Sequence, residues 1–226
     1  MTTTRVDLAG IHVPLITPFE SDGRVATDAL EQLAHQVLSD GAVGLVALGT
    51  TAETATLTEQ ERVTVLDICA SVCRARGATL IVGAGSNDTA GSAQALGRLT
   101  RWPDVSAALV PVPSFTRPSK AGVVAHFAHL QSSSPVPLIV YHVPYRTACD
   151  LDSGTLRELG ALPGVVGVKY AAGGIDAAAV ELFADLPDDF AVLAGMICFS
   201  RRFWPWVRQA ESWRPLICRP PSSCAW

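Results

Sequence analysis

Short apolar segments alternate along the chain with longer segments whose apolar residues have helical spacing. The short segments are residues 11–17, 43–48, 79–84, 105–110, 137–141, 165–169 and 190–194. Most of them are apolar at nearly every position, which is typical of strands buried on both faces of a parallel sheet. The pattern therefore predicts seven parallel strands joined by helices.

The predicted helices cover residues 27–40, 57–76, 87–99, 119–131, 152–162 and 174–186. Near the start of the second helix, Thr58 and Glu61 have the spacing of a capping box. Two α/β architectures share this alternation, an open doubly wound sheet and a (β/α)8 barrel. A barrel takes about 250 residues, so a chain of 226 residues leaves the choice open at this point.

Composition narrows the function classes. The chain is 49% hydrophobic and 17% charged, with a net charge of -4, as expected of a globular domain. It has no Lys/Arg cluster for nucleic acid, no apolar run long enough for a membrane span and no apolar signal segment at its N-terminus. We expect a cytoplasmic protein that binds neither nucleic acid nor membranes.

The cysteines and histidines predict no metal site. The spacing of the six cysteines matches no zinc or redox motif, and Cys69 and Cys73, one helical turn apart, are expected in the core. His126 and His129 are expected on a solvated helix face, without an acidic ligand nearby. The glycine-rich residues 83–88 lack the spacing of nucleotide-binding loops. We therefore expect neither a metal ion nor a nucleotide cofactor.

Reactive side chains lie where the predicted strands end. Lys169 ends the sixth segment, Tyr141 ends the fifth and is followed by Arg146, and Thr50 and Thr51 follow the second. Each has a simpler interpretation taken alone: a lysine that extends to solvent, a half-buried tyrosine, a surface arginine or an ordinary turn. In a barrel, however, the carboxyl ends of all strands meet at the face that carries the chemistry.

Together these residues predict Schiff-base chemistry. Apolar surroundings lower the pKa of a lysine such as Lys169, which makes part of it neutral and nucleophilic. A hydroxyl from Tyr141 on the neighbouring strand can transfer protons at the carbinolamine. Backbone amides in the threonine-rich turn can hold a carboxylate. This combination describes a class I aldolase that acts on a 2-oxo acid.

Six segments carry a family resemblance: residues 10–19, 49–62, 82–89, 117–122, 141–147 and 164–170. In order and spacing the chain resembles the dihydrodipicolinate synthase / N-acetylneuraminate lyase family of pyruvate-dependent aldolases. The resemblance implies a (β/α)8 TIM barrel, here incomplete at its C-terminus, without the eighth strand and the helices that follow. It also implies a homo-oligomer, pyruvate and an aldehyde as substrates, and no cofactor.

The resemblance assigns roles residue by residue. Lys169 falls on the Schiff-base lysine and Tyr141 on the tyrosine that relays protons at the imine. Thr50 matches the threonine of the hydroxyl relay, and Thr51 the one that binds the pyruvate carboxylate. Arg146 matches the arginine that contacts the carboxylate of aspartate semialdehyde in the synthase branch. The implied reaction is condensation of pyruvate with that aldehyde.

Three departures from the family pattern leave alternative functions open. Phe115 stands where the synthases carry a tyrosine that reaches the partner subunit's relay, and a phenyl ring cannot pass a proton. Tyr170 replaces a common acidic residue, and His142 replaces an asparagine. One alternative is therefore a lyase or dehydratase for a sugar-derived 2-oxo acid, and another is a non-catalytic relic or regulatory protein with the same fold.

Residues 196–226 differ in character from the rest of the chain. They hold four of the five Trp and three of the six Cys, and they show neither helical nor strand periodicity. We expect a reading-frame shift near residue 195, which would leave residues 1–195 as a partial barrel domain and the remainder as an out-of-frame tail. The chain as written is then expected to be insoluble or inactive, because the barrel cannot close, whereas a frame-restored version is expected to fold and bind pyruvate.

Overall fold

The predicted strands all form, and they belong to one parallel sheet. The computed structural model describes residues 6–187 and 189–195, so the expected tail lies outside the described residues. The strands are β1 (His12–Pro14), β2 (Gly44–Ala47), β3 (Thr79–Gly83), β4 (Val105–Pro111), β5 (Leu138–His142), β6 (Val165–Tyr170) and β7 (Ala191–Ala194). Their spatial order follows the chain from β1 to β7. This is the order of a (β/α)8 barrel, whereas a doubly wound sheet reverses its order.

No eighth strand lies within the described residues, and there β1 pairs only with β2 and β7 only with β6. The seven strands thus make up a curled, incomplete barrel. None of the helices in this part of the chain is long and apolar enough to cross a membrane.

The helices lie between the strands as predicted, with one addition. They are α1 (Thr27–Ser39), α2 (Glu59–Arg76), α3 (Thr89–Arg98), α4 (Lys120–Ser133), α5 (Pro144–Thr147), α6 (Ser153–Gly160) and α7 (Ala177–Ala184). The capping box of α2 is confirmed: Thr58 accepts from the Glu61 amide, and the Glu61 carboxylate accepts from the Thr58 amide. The short α5 was not predicted, although its first residue is Pro144, which is favoured at a helix start.

Apolar side chains cover both faces of the sheet. The larger cluster lies between the sheet and its helices and includes Leu80 of β3, Leu138 of β5 and Phe127 of α4. A smaller inner cluster lies on the opposite face, formed by Leu8, Val46, Ile81, Ala107, Leu109, Ile139, Tyr141 and Val143. Burial on both faces explains why the strands are apolar throughout.

The prediction that both histidines of α4 lie on a solvated face was correct for one of them and wrong for the other. His129 is exposed, but His126 is buried, with its Nδ1 atom 2.8 Å from Thr89 Oγ1 of α3. The two helices pack together, so this face of α4 meets a neighbouring helix instead of solvent. Cys69 and Cys73 are buried in α2, as predicted.

Candidate active site

The pairing of β5 with β6 places Lys169 beside Tyr141. The two residues are direct partners in the parallel register, and Leu193 of β7 is the partner of Lys169 on its other side. The Lys169 Nζ atom lies 5.2 Å from the centroid of the Tyr141 ring. Tyr141 itself is buried within the inner cluster. The register therefore brings the predicted amine and the predicted proton donor to one place.

The surroundings of Lys169 favour its neutral form. The side chain is half-buried, and this burial lowers its pKa because a charged amine loses solvation. The positive charge of Arg146 lowers the same pKa further. The Tyr141 ring acts in the opposite sense, since an aromatic face attracts an ammonium. Of the two influences that lower the pKa of Lys169, burial is the larger.

The Tyr141 hydroxyl is the centre of the site. Its oxygen accepts a hydrogen bond from Thr50 Oγ1 at 3.1 Å and another from Arg146 Nη1 at 3.1 Å. A phenol has one proton to donate, and with both acceptor positions used that proton points elsewhere. It is then available to a group bound at Lys169. Arg146 reaches this position from α5, the helix that sequence reasoning missed.

The turn that carries Thr50 is held by a residue that the sequence prediction did not single out. Thr50 opens a short 3₁₀ turn, Thr50–Ala52, directly after β2. Thr17 is buried and donates from its hydroxyl to the Ala52 carbonyl at 2.8 Å. Thr51 follows Thr50 in the turn and is exposed. The signal for Thr17 was a hydroxyl at the end of an otherwise apolar segment, residues 11–17.

A close approach between β3 and the end of β2 fixes the start of this turn. A side chain on Gly83 would place its Cβ 2.1 Å from the Leu48 carbonyl oxygen. Leu48 has a φ of 52°, in the left-handed region that is costly for a branched side chain. Glycine at position 83 therefore allows the backbone geometry that presents Thr50.

Behind the site, His142 and Tyr170 form the next pair along β5 and β6. Both are buried, and their ring centroids lie 5.2 Å apart. The Tyr170 hydroxyl donates to Asp176 Oδ1 at 2.8 Å, and burial is the main reason why the Tyr170 pKa is raised. Burial lowers the pKa of His142. These two departures from the family pattern therefore lie in contact.

The third departure, Phe115, lies in the loop between β4 and α4. Its side chain is 87% exposed and its φ is 65°. Tyr145 in α5 is 96% exposed.

Within the described residues, no group of three or more His, Cys, Asp or Glu side chains is arranged to hold a metal ion.

Comparison with known proteins finds one matching family. Residues 7–204 match the dihydrodipicolinate synthetase family. The 4-hydroxy-tetrahydrodipicolinate synthase of Anaplasma marginale is 38% identical over 189 residues, which are 83% of this chain and 61% of that protein. The chain thus spans about three fifths of the length of this curated relative.

Solved structures of similar proteins show the same fold. The 4-hydroxy-tetrahydrodipicolinate synthase of Methylacidiphilum fumariolicum superposes with a TM-score of 0.80 at 28% identity, covering 87% of this chain and 65% of that one. The chloride-inhibited dihydrodipicolinate synthase of Acinetobacter baumannii, solved with pyruvate, gives a TM-score of 0.76 at 31% identity, covering 81% and 62%.

Proposed function

The chain belongs to the dihydrodipicolinate synthetase family, and on that basis we propose that it is a lysine Schiff-base aldolase. The proposed reaction condenses pyruvate with aspartate semialdehyde. The observation that carries the proposal is the half-buried Lys169 amine beside the Tyr141 ring, whose hydroxyl accepts from both Thr50 and Arg146.

In the first half-reaction the neutral Lys169 amine attacks the C2 carbonyl carbon of pyruvate. The carbonyl oxygen gains a proton and the attacking nitrogen loses one, giving a neutral carbinolamine. Tyr141 then donates its proton to the departing hydroxyl, which leaves as water while the carbon–nitrogen double bond forms. Thr50 donates to the Tyr141 oxygen and is proposed to resupply the proton. Thr51 is proposed to hold the pyruvate carboxylate through the turn.

In the second half-reaction the imine loses a proton from C3 and becomes an enamine. The enamine carbon attacks the aldehyde carbon, a carbon–carbon bond forms, and the aldehyde oxygen takes a proton. Water then adds at C2 and releases the Lys169 amine. Arg146 is exposed at the edge of the site and is proposed to bind the carboxylate of the aldehyde.

One observation favours a second candidate, a lyase or dehydratase for a sugar-derived 2-oxo acid. Phe115 has no hydroxyl, so it cannot supply the third member of the synthase relay. Both candidates share the imine at Lys169 and differ in the second half-reaction. Comparing condensation with aspartate semialdehyde against cleavage of sugar-derived 2-oxo acids separates them.

We further propose that the functional form is a homo-oligomer. Phe115 and Tyr145 are large aromatic side chains that are almost fully exposed in the single chain. Burial of such side chains between subunits is favourable, at about 25 cal/mol per Å² of apolar surface. Analytical ultracentrifugation tests this, and a monomer at micromolar concentration would contradict it.

Borohydride trapping tests the imine itself. The chain has only two lysines, Lys120 and Lys169, so a reduced pyruvate adduct can be assigned by mass spectrometry of two peptides. In the frame-restored protein we expect an adduct on Lys169, none in Lys169→Arg, and an unchanged adduct in Lys120→Arg, which keeps the ion pair with Asp152. An adduct on Lys120 of that protein, or no adduct at all, would overturn the proposed function and favour the non-catalytic alternative.

A further inference from the structure

The outward-facing pair His142 and Tyr170 lies directly behind the catalytic pair. Successive side chains of a strand point to opposite faces, so Tyr141 and Lys169 face the inner cluster while the next residues face the helices. The His142 side chain is fully buried, and its ring is tilted by 56° against that of Tyr170. The two rings thus pack across β5 and β6 one residue beyond Lys169.

Tyr170 links the end of β6 to the following helix. Its hydroxyl donates to Asp176 Oδ1, and the same oxygen accepts from the Ala179 amide as the cap of α7. The chain between Tyr170 and Asp176 is a loop in which Gly173 adopts a φ of 92° with open space around it. Ala171 and Ala172 of this loop pack against the two apolar clusters, and the Tyr170 side chain adds a link from the sheet to the start of α7.

His142 supports this attachment in two ways. Its carbonyl accepts a hydrogen bond from the Ala171 amide at 2.9 Å, and its ring packs against Tyr170. Neither ring nitrogen of His142 makes a hydrogen bond within the described residues. Burial without such bonds is costly for a polar ring, so the packing of His142 against Tyr170 is the ring's visible favourable contact in this part of the chain.

Three groups face the His142 ring: Asp150 from the loop before α6, Asp176 from the start of α7, and Tyr170 from β6. Nε2 lies 3.6 Å from Asp150 Oδ1, and the Asp150 side chain is 82% exposed. Burial outweighs both carboxylates, so the pKa of His142 lies below its usual value and the ring is neutral at neutral pH. A proton added to the ring would place a positive charge in this buried position, and the burial that disfavours this charge would be relieved by movement towards the exposed Asp150.

We propose that His142 is a positioning residue whose neutral ring, packed on Tyr170, holds the end of β6 and so keeps Lys169 aligned with Tyr141, and that proton uptake by this ring releases the hold. The inference rests on the proposed function only for its effect on imine formation. The packing of the His142 ring on Tyr170, which fixes the end of β6, does not depend on substrate. The two parts therefore have separate tests.

The first test is hydrogen–deuterium exchange of the full chain without substrate, using peptides that span residues 165–172, with β4 as the internal reference. After correction for intrinsic rates, we expect exchange in wild type to rise about tenfold as pH falls from about 7.5 to about 5.5. His142→Phe keeps a ring and cannot take a proton, so its exchange stays at the slow level. His142→Gln loses the ring and exchanges fast at both pH values.

The second test is the rate of borohydride-trapped imine at Lys169 over the same pH range. Protonation of Lys169 slows every variant on the acid side, so the informative quantity is the ratio of wild type to His142→Phe. We expect this ratio to fall about tenfold between about pH 7.5 and about pH 5.5, the usual size of an effect through a supporting residue.

The outcomes are distinguishable. If exchange and the rate ratio show the same pH dependence in wild type and in His142→Phe, the positioning role is wrong. If exchange depends on His142 as expected but wild type forms no adduct, the proposed function fails and the hold on β6 stands. If His142→Phe does not fold, a flat exchange profile in wild type still overturns the inference.

Discussion

At the scale of single residues, the two lysines of the chain differ in their exposure to solvent and in the charges that lie near them. Lys120 is exposed and paired with Asp152, and this pairing lowers the pKa of that carboxyl. Lys169 is half-buried, with Arg146 as a positive neighbour, and its pKa is lowered. At neutral pH only Lys169 is in a setting that favours the neutral amine, which is the nucleophilic form.

Replacing Tyr141 tests the proton transfer. In Tyr141→Phe the ring beside Lys169 remains, but the hydroxyl that accepts from Thr50 and Arg146 is lost. We expect imine formation with pyruvate to slow by about 10²–10⁴-fold, the usual size of a general acid–base contribution. Rapid quenching with borohydride measures the rate, and the exposed Tyr145→Phe is the matched control. A Tyr141→Phe rate equal to wild type would mean that another group carries the proton.

Replacing Arg146 tests the electrostatics of the amine. Its positive charge lowers the Lys169 pKa, so in Arg146→Ala that pKa rises and the neutral amine is reached at higher pH. We expect the pH profile of imine formation to shift to higher pH in Arg146→Ala and less in Arg146→Lys. Arg24→Ala, at a remote exposed ion pair, is the control. A profile that does not move in Arg146→Ala would contradict the influence of the guanidinium.

At the scale of elements, local signals were enough for the strands and most helices. The apolar runs and the capping box of Thr58 and Glu61 depend on neighbouring residues, so the sequence displays them. The misses depend on contacts distant in sequence. Thr17 supports the Thr50 turn across 35 positions, and His126 is buried because α3 lies against α4. The apolar pattern of one segment does not show which distant segments of the chain pack against it.

The turn after β2 provides a test at this scale. Gly83→Ala would place a methyl group 2.1 Å from the Leu48 carbonyl oxygen, which forces the backbone apart. We expect a loss of about 1–3 kcal/mol in unfolding free energy and slower imine formation, because Thr50 moves. Gly97→Ala in α3 meets nothing within 4 Å and is the matched control, with an expected gain of about 0.5–1 kcal/mol. Urea unfolding that ranks the two variants equally would refute this reading of Gly83.

At the scale of the whole molecule, the number of strands was predictable and their closure was not. Seven apolar segments predict seven strands, but the same alternation occurs in open sheets and in barrels. The family resemblance favoured the barrel, and the strand order from β1 to β7 confirms it. The predicted frame shift near residue 195 concerns residues outside the described part of the chain and stays a prediction.

The whole molecule is also the scale at which buried imidazoles affect stability. Burial lowers the pKa of His12, His126 and His142 from 6.5. A base with a lower pKa in the folded state takes up its proton more readily after unfolding. The stability that these residues contribute is therefore present above about pH 6.5 and is lost as pH falls below that value through the folded pKa.

The paired carboxylates act in a lower pH window. Hydrogen bonds from Lys120 and Arg74 lower the pKa of Asp152 and Asp104 from 3.8, so their contribution is lost only as pH falls below about that value. Both carboxylates are near the surface, where solvent screening keeps such contributions small. We therefore expect the larger loss of stability as pH falls below about 6.5, before the carboxylates titrate.

Urea unfolding at a series of pH values measures this loss. The midpoint should fall between about pH 7 and about pH 5 in wild type, and less steeply in His142→Phe, which has one fewer buried base. His129→Gln changes an exposed imidazole of the same helix as His126 and should follow wild type. A midpoint that stays constant down to about pH 5 would mean that protonation of the buried rings costs the folded state no stability. That result would contradict both this prediction and the release of β6 proposed for His142.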